Sequence, residues 1–161
     1  MKTRIFWLND NLGIMSRPLG GDDLTEEMEH WKRLNVDTIV SFLTDEENEE
    51  LGLEYERMDC RKQGFEFIKF PIEDRQTPDS YLKTKALVEI IIDKINGNNK
   101  ILMHCRGGIG RVSIVSASVL SILNKTSAKQ SFSTISKIRG INVPDTDEQI
   151  TWTEAFIDKM R

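Results

Sequence analysis

The chain has 161 residues, of which 39% are hydrophobic and 30% are charged, a balance typical of a folded globular protein rather than a disordered one. A chain of this length can bury a sizeable core without a structural metal or disulfide, which predicts a single domain over residues 1–161. Lys and Arg total 22 against 26 Asp and Glu, a net charge of −4. This charge argues against nucleic acid or a membrane surface as a partner, because both are bound through basic patches.

The sequence also lacks targeting and metal-binding patterns. It has no apolar run of the roughly 18 residues that a membrane helix requires, and its N-terminal segment lacks the apolar stretch of a secretory signal. Two cysteines (60 and 105) and two histidines (30 and 104) include no pair at the spacing of a zinc site. These features predict a cytoplasmic protein with free thiols.

The first half of the chain predicts short strands alternating with helices. Short strands are predicted at residues 4–8, 12–17, 38–43 and 65–70, and the third of these is a β-branched and aromatic run. The predicted helices cover residues 24–34, 45–51 and 53–62. The first of these helices begins after Asp22 or Asp23, either of which is a suitable cap.

The second half continues the same alternation. A helix is predicted to begin at Thr77-Pro78 and to end at residues 96–99, followed by a wholly apolar strand at residues 100–103. Residues 111–124 are apolar around most of a helix and predict a buried one, and two more helices are predicted near 127–139 and 147–159. The alternation predicts an α/β domain.

The segment from His104 to Arg111 carries most of the chemical information. It joins the apolar strand to the buried helix through a turn with glycines at 107, 108 and 110. Glycine permits backbone conformations that point several N–H groups at one spot, and the start of the next helix adds partial positive charge. The segment therefore predicts a cradle for an anion such as phosphate.

Two side chains complete this predicted site. Cys105 lies at the edge of the cradle, where the same field favours a thiolate and predicts a lowered pKa for the sulfur. Arg111 carries a planar guanidinium that can hold two phosphoryl oxygens at once, which lysine cannot do. Together they predict nucleophilic attack on phosphorus, with the backbone donors stabilising the transferred group.

Other interpretations of this loop explain less of it. A nucleotide-binding phosphate loop requires Gly-Lys-Ser/Thr, but Gly110 is followed by Arg111 and Val112. A dinucleotide fingerprint requires a third glycine where Ser113 stands. A buried structural cysteine accounts for Cys105 but for neither the glycines nor the arginine.

The motif His-Cys-x5-Arg, from His104 to Arg111, resembles the active-site loop of cysteine-dependent protein phosphatases. The glycine positions are most similar to those of dual-specificity phosphatases, in particular the cyclin-dependent-kinase-associated branch and its bacterial relatives. Residues 71–79 resemble the general-acid loop of that branch, and Ser16-Arg17-Pro18 is also similar to it. The resemblance implies the cysteine-phosphatase fold, an α/β domain with a central, mostly parallel sheet and helices on both faces.

The resemblance also implies a two-step reaction that needs no metal or organic cofactor. Cys105 attacks phosphorus to form a phosphocysteine while an aspartic acid protonates the leaving oxygen, and the same aspartate then activates water. His104 would orient the loop and help to keep Cys105 ionised. The residues expected to bind the phosphate group of the substrate are Arg106, Gly107, Gly108, Ile109 and Gly110.

Three carboxylates compete for the role of general acid. Asp74 is preferred because it lies on a loop between a strand and a helix, where a mobile acid belongs. Asp79 follows a proline, but it is predicted to lie in the first turn of a helix, where an acid usually complements the helix dipole. Glu73 is the third candidate.

The residue after the loop arginine departs from the family pattern. Ser or Thr is usual there, and its hydroxyl stabilises the departing thiolate, whereas this chain has Val112 with Ser113 one residue later. One residue is about 100° of rotation on a helix, so Ser113 is not expected to substitute. We therefore expect slow breakdown of the phosphoenzyme, seen as a pre-steady-state burst.

Four further features receive simpler interpretations. Arg106 either adds positive potential for a multiply charged substrate or faces solvent. Cys60 is predicted to be packed in a helix rather than paired with Cys105 in a protective disulfide. Gln149 is predicted to lie on a helix surface, with positioning of the hydrolytic water as the alternative, and the acidic run 45–50 is predicted to be solvated.

Taken together, these features predict a hydrolase that removes phosphate from phosphotyrosine in a phosphoprotein or phosphopeptide. Phosphoserine and phosphothreonine are further candidate substrates. A phosphatase acting on a phosphoinositide or another non-protein monoester ranks second, because lipid-specific members carry loop lysines that this chain lacks. A phosphate-binding module without activity is a different class of function, and only Val112 favours it.

Overall fold

The computed structural model describes residues 2–161 and contains a five-stranded sheet. In chain order the strands are β1 (Phe6–Asn9), β2 (Leu12–Met15), β3 (Thr38–Ser41), β4 (Glu66–Lys69) and β5 (Ile101–His104). They lie side by side in the order β1-β2-β5-β3-β4. Strand β1 pairs antiparallel with β2, and every other neighbouring pair is parallel. The predicted α/β class with a mostly parallel sheet is confirmed.

Seven α-helices are described, together with a short 3-10 turn at Gly21–Asp23. They are α1 (Leu24–Arg33), α2 (Asp45–Glu50), α3 (Glu56–Lys62), α4 (Tyr81–Asn96), α5 (Arg111–Asn124), α6 (Ala128–Arg139) and α7 (Asp147–Met160). A Ser or Thr side chain caps the first turn of α2, α4, α6 and α7, which satisfies a backbone N–H that would otherwise lack a partner. None of the helices in residues 2–161 is long and apolar enough to cross a membrane.

The sheet separates two apolar cores, because successive residues of a strand point to opposite faces. Val40 and Met103 pack in the core that includes residues of α4 to α7, whereas Ile39 and Leu102 pack in the core that includes residues of α1 and α3. Strand β5 is central and fully buried, as its uninterrupted apolar run predicts. Its carboxyl end leads directly into the loop that begins at Cys105.

The predicted start of α4 is wrong. The helix begins at Tyr81, because the Ser80 side chain caps it, and not at Pro78. Asp79 therefore precedes the helix instead of lying in its first turn. Residues 71–80 form an irregular connection between β4 and α4, and this connection carries the candidate general acids.

Candidate active site

The loop after β5 forms the cradle that its glycines predict. Gly108 has a φ of +69°, which is unfavourable for any other residue. A Cβ at this position would lie 2.7 Å from the amide nitrogen of Ser16 and 2.9 Å from the carbonyl oxygen of Met15. Glycine is therefore required both by the backbone conformation and by close packing against the end of β2.

The carbonyl oxygens of the loop are held from outside. The N–H of Arg17 donates to the carbonyl of Arg106 at 3.1 Å. The guanidinium of Arg139, at the end of α6, donates to the carbonyls of Gly107 and Gly108 at 3.0 and 3.1 Å. Because the N–H and C=O of one trans peptide point in opposite directions, the amides that follow these carbonyls turn inward. Arg139 lies in a different helix from the loop, so no local sequence pattern connects the two.

The sulfur of Cys105 is surrounded by these amides. The residue is 2% exposed, and this burial raises the pKa of the thiol. The N–H of Val112, the charge of Arg111 and the N–H groups of Gly108 and Ile109 act in the opposite direction. Burial outweighs them, so the sequence-based prediction of a lowered pKa is wrong for this arrangement. The glycine pattern reveals the donors, but it does not reveal how completely the fold removes the sulfur from water.

Arg111 is buried at the start of α5 and is aligned by a carboxylate from α2. Its Nη1 and Nη2 donate to Oε1 and Oε2 of Glu47 at 2.7 and 2.9 Å, and Nη1 also donates to the carbonyl of Ile72 at 2.9 Å. Burial acts to raise the pKa of Glu47, but the hydrogen bonds and charge of Arg111 together with the hydrogen bonds from Thr44 outweigh it, and the pKa is lowered. The guanidinium is thus held in one orientation by a charged two-point contact.

Glu47 belongs to the site through its contact with Arg111, so the prediction that the acidic run 45–50 is solvated is wrong for this residue. The other acidic residues of α2 are exposed, but Glu47 is buried. The Thr44 hydroxyl accepts the N–H of Glu47, and Oε1 of Glu47 accepts the N–H of Thr44. The pattern Thr-x-x-Glu is a visible signal for this capping box, but it does not reveal the arginine that the same carboxylate holds.

Asp74 reaches the site from the connection between β4 and α4. It lies in a turn closed by a hydrogen bond of 3.0 Å from the N–H of Gln76 to the carbonyl of Glu73, with Arg75 at a φ of +62°. Oδ1 of Asp74 accepts a hydrogen bond from Nη2 of Arg111 at 3.2 Å, while the side chain is 57% exposed. Because Asp74 is largely exposed and contacts Arg111, its position suits a side chain that contacts a bound substrate.

A cavity of about 240 Å³ lies above the loop and brings the predicted residues together. It is lined by Asp74, Cys105, Arg111 and four of the five predicted phosphate-binding residues, with Gly108 as the exception. Neither Glu73 nor Asp79 lines it. The two remaining lining residues, Arg75 and Asp145, are not identified by the sequence analysis. Of the three candidate acids, only Asp74 is placed to protonate a leaving group in this cavity.

His104 stands behind the cavity rather than in it. It is completely buried, and its Nε2 lies 2.8 Å from Oε2 of Glu56, which is 1% exposed. Its backbone carbonyl accepts the N–H of Phe42 at 3.0 Å. These contacts fix the end of β5, so the position of His104 suits the predicted orienting role and not direct contact with a substrate.

The interpretation of Gln149 as a helix-surface residue is wrong, because its side chain is completely buried. Its Oε1 accepts the N–H of Asp145 at 2.9 Å, and its Nε2 donates to the carbonyl of Gln76 at 3.0 Å. Gln149 therefore joins the start of α7 to the connection that carries Asp74.

Within residues 2–161, neither Cys60 nor any group of His, Cys, Asp and Glu side chains forms a second catalytic or metal-binding site. Cys60 and Cys105 are both free thiols that belong to different cores, on opposite faces of the sheet. Cys60 is completely buried in the core that includes residues of α1 and α3, which confirms the packed interpretation. Burial and the nearby Glu56 and Asp59 raise the pKa of its thiol. No group of three or more His, Cys, Asp or Glu among the described residues is placed to hold a metal ion.

We expect Gly108→Ala to damage the cradle and Gly107→Ala to be tolerated. An alanine at 108 must adopt a positive φ, which costs about 1–3 kcal/mol, and must also displace the backbone at Ser16. A Cβ at Gly107 would meet nothing closer than the Ile109 side chain at 3.7 Å. Thermal denaturation and calorimetric titration with inorganic phosphate measure both effects. Equal melting temperatures and phosphate affinities in the two variants would contradict this account of the loop.

The sequence is similar to known phosphatase sequences. Residues 13–124, more than half of the chain, match the family described as Tc-R-P, polymorphic toxin system, DSP-PTPase phosphatase. Over 91 residues the chain is 33% identical to cyclin-dependent kinase inhibitor 3 of Sus scrofa and 32% identical to that of Homo sapiens. Each alignment covers 56% of this chain and 42% of the relative, so the matched segment spans less than half the length of these relatives.

The fold is similar to solved structures over nearly its whole length. The crystal structure of kinase-associated phosphatase with its catalytic cysteine replaced by serine matches with a TM-score of 0.88 and 25% identity, covering 99% of this chain and 97% of that one. Tk-PTP in its active form matches with a TM-score of 0.80 and 20% identity, covering 96% of this chain and 97% of that one. These likenesses confirm the predicted cysteine-phosphatase fold.

Proposed function

We propose, from the premise that this chain belongs to the DSP-PTPase family of phosphatases, that it hydrolyses phosphate monoesters of proteins through a phosphocysteine on Cys105. One observation carries the proposal. Cys105, Arg111 and Asp74 line a single cavity above a loop whose amides point at the sulfur. A nucleophile, a two-point anion ligand and a proton donor are therefore within reach of one bound phosphoryl group.

In the proposed first step, the thiolate of Cys105 attacks phosphorus and the bond from phosphorus to the leaving oxygen breaks. Arg111 and the loop amides hold the non-bridging oxygens, while Asp74 gives its proton to the leaving oxygen. The amide donors and Arg111 also offset part of the cost of ionising a buried sulfur. The loop therefore serves both the nucleophile and the group that it attacks.

In the proposed second step, water attacks the phosphocysteine, the bond from phosphorus to sulfur breaks, and inorganic phosphate leaves. A carboxylate must accept the proton that the water loses. The resemblance to the family assigns this task to Asp74 as well. His104 and Glu56 support both steps by holding the end of β5.

We assign phosphotyrosine in a phosphoprotein or phosphopeptide as the principal substrate, with phosphoserine and phosphothreonine as further candidates. The similarity to cyclin-dependent kinase inhibitor 3 and kinase-associated phosphatase supports a protein substrate. A substrate with additional negative charge, such as a phosphoinositide, is the second candidate, because Arg75 and Arg106 both line the cavity. A cytoplasmic location stays a prediction from the sequence.

A substrate panel tests this assignment. Phosphate release is measured from phosphotyrosine and phosphoserine peptides of one sequence and from soluble inositol phosphates, at matched concentrations. We expect the highest kcat/KM on the phosphotyrosine peptide. A higher kcat/KM on an inositol phosphate would move the assignment to the second candidate, and no release from any of them would contradict the proposed activity.

Asp74→Asn tests the general acid, with Asp79→Asn as the matched control. The asparagine can still accept the hydrogen bond from Arg111, but its amide is far too weak an acid to protonate a leaving oxygen. We expect kcat on an alkyl phosphate to fall by about 10²–10⁴-fold, with a smaller fall on p-nitrophenyl phosphate, whose leaving group needs less protonation. Asp79→Asn should resemble the wild type. The reverse pattern would show that the acid is assigned to the wrong residue.

A further inference from the structure

We propose that Asp145, in the connection before α7, is the carboxylate that holds and deprotonates the water in the second step. Asp74 then serves as the acid of the first step alone. This inference rests on the proposed function, because it requires a phosphocysteine that water must hydrolyse. It departs from the family resemblance, which gives both tasks to one aspartate.

The carboxylate of Asp145 lies directly against the phosphate-binding loop. A Cβ added to Gly110 would be 2.2 Å from its Oδ2, so the carboxylate occupies the space that a side chain at 110 would need. Asp145 also lines the same cavity as Cys105 and Asp74. A glycine at 110 therefore makes room for a second carboxylate beside the reacting group.

The backbone of Asp145 is anchored to the start of α7. Its backbone N–H donates to Oε1 of the buried Gln149 at 2.9 Å, and the N–H of Thr146 reaches the same oxygen at 3.3 Å. Thr146 in turn caps α7 through its side chain. The side chain of Asp74, by contrast, is 57% exposed on an irregular connection. An anchored backbone favours a base that must hold one water molecule in line with the bond from phosphorus to sulfur.

The lone pairs of Asp145 are also available. Within residues 2–161, its carboxylate accepts no hydrogen bond and forms no ion pair with another side chain. Asp74 accepts a hydrogen bond from Arg111. An unengaged carboxylate beside the cavity can accept an O–H of water directly.

Other groups that could hold this water are engaged elsewhere or absent. Gln149 uses its Oε1 on backbone N–H groups and its Nε2 on the carbonyl of Gln76, and it does not line the cavity. Val112 brings no hydroxyl to the position after the loop arginine. The hydroxyl of Ser113 is buried and does not line the cavity either. This leaves Asp145 as the polar side chain beside the reacting group whose backbone is anchored and whose carboxylate is unengaged.

The proposed step balances without any further reactant. The water oxygen attacks phosphorus on the side opposite to Sγ, the bond from phosphorus to sulfur breaks, and its electron pair returns to Cys105 as a thiolate. One proton of the water passes to Asp145 and later to solvent, while inorganic phosphate departs. The step gives the two carboxylates separate tasks, a proton donor to the leaving oxygen at Asp74 and a proton acceptor from water at Asp145.

Rapid-quench kinetics of Asp145→Asn with p-nitrophenyl phosphate test the inference. We expect a burst of p-nitrophenol at the wild-type rate, followed by steady-state turnover about 10²-fold slower or more. The phosphoenzyme should accumulate in the variant. Asp147→Asn, which changes an exposed acid in the first turn of α7, is the matched control and should behave as the wild type.

Asp145→Ser is a second variant, with a smaller side chain that cannot act as a base. Melting temperatures are measured for both variants to establish that they fold. Steady-state turnover near the wild-type value in a folded variant would overturn the inference and leave the proposed function intact. A variant that loses the burst itself would also overturn it, because the first step would then depend on Asp145. If the wild type forms no phosphoenzyme, the proposed function fails instead.

Discussion

Cys105→Ser is expected to lose turnover of p-nitrophenyl phosphate by about 10⁴-fold or more while it keeps its fold and its affinity for phosphate. A serine hydroxyl is a far weaker nucleophile than a thiolate unless an adjacent base activates it. The amides of Gly108, Ile109 and Val112 that point at the sulfur come from the backbone and are unchanged by the substitution. Steady-state kinetics and calorimetric titration with inorganic phosphate measure the two properties separately.

The chain offers its own control for this experiment. Cys60 is a second buried thiol, in the other core and not in the cavity. Cys60→Ser should retain wild-type kcat, although burying a hydroxyl in an apolar core is expected to cost about 1–3 kcal/mol of stability. Equal losses of turnover in both variants would indicate a general structural effect and would contradict the assignment of Cys105 as nucleophile.

Arg111→Met is the second substitution with a large expected effect, because it changes both stability and binding. It leaves Glu47 as a buried carboxylate without its cation, and the carbonyls of Phe42 and Ile72 lose a donor. Removing one partner of a buried pair costs about 3–5 kcal/mol, measured by urea denaturation. Phosphate binding should be lost as well, since the two-point ligand is gone.

The control lies in the same loop. Arg106 pairs with Glu50 at 3.1 Å, but both side chains are exposed, at 45% and 60%. Arg106→Met should therefore change the free energy of unfolding by less than about 1 kcal/mol. The double variant Arg111→Met with Glu47→Gln should recover part of the lost stability and none of the phosphate binding. An Arg111→Met protein as stable as Arg106→Met would contradict the role given to Glu47.

The pair of Glu47 and Arg111 also makes the free energy of unfolding depend on pH. Burial opposes the ionisation of Glu47, but Arg111 and the hydrogen bonds from Thr44 lower its pKa in the folded protein. The stability from these contacts is therefore present above the ordinary pKa of a carboxyl group. It is lost as the pH falls through the lowered value. The double variant, which lacks this carboxyl, should lose less stability on acidification than the wild type.

The features predictable from sequence are those encoded in contiguous residues. The apolar run before Cys105 identifies the central strand, the apolar circumference of residues 111–124 identifies the buried helix, and the glycines between them identify the cradle. The cysteine and the arginine then follow from their place in the same segment. Each of these inferences needs only local geometry and the period of the hydrophobic pattern.

The features that could not be predicted depend on distant parts of the chain. In the sequence, Glu47 cannot be distinguished from its exposed acidic neighbours, because only the packed fold brings it against Arg111. Asp145 and Arg139 reach the loop from near α7 and from α6, and no local pattern connects them to it. The direction of the pKa shift at Cys105 depends on how fully the assembled fold excludes water, which is a property of tertiary packing.

Trapping the phosphoenzyme is the most direct test of the central claim, which is that Cys105 accepts the phosphoryl group. The protein is mixed with p-nitrophenyl phosphate, quenched in acid within milliseconds, digested, and examined by mass spectrometry. We predict one phosphoryl group on the peptide that contains Cys105, none on the peptide that contains Cys60, and none in Cys105→Ser. Sustained turnover with no phosphoryl group on Cys105, or with the group on another residue, would contradict the account.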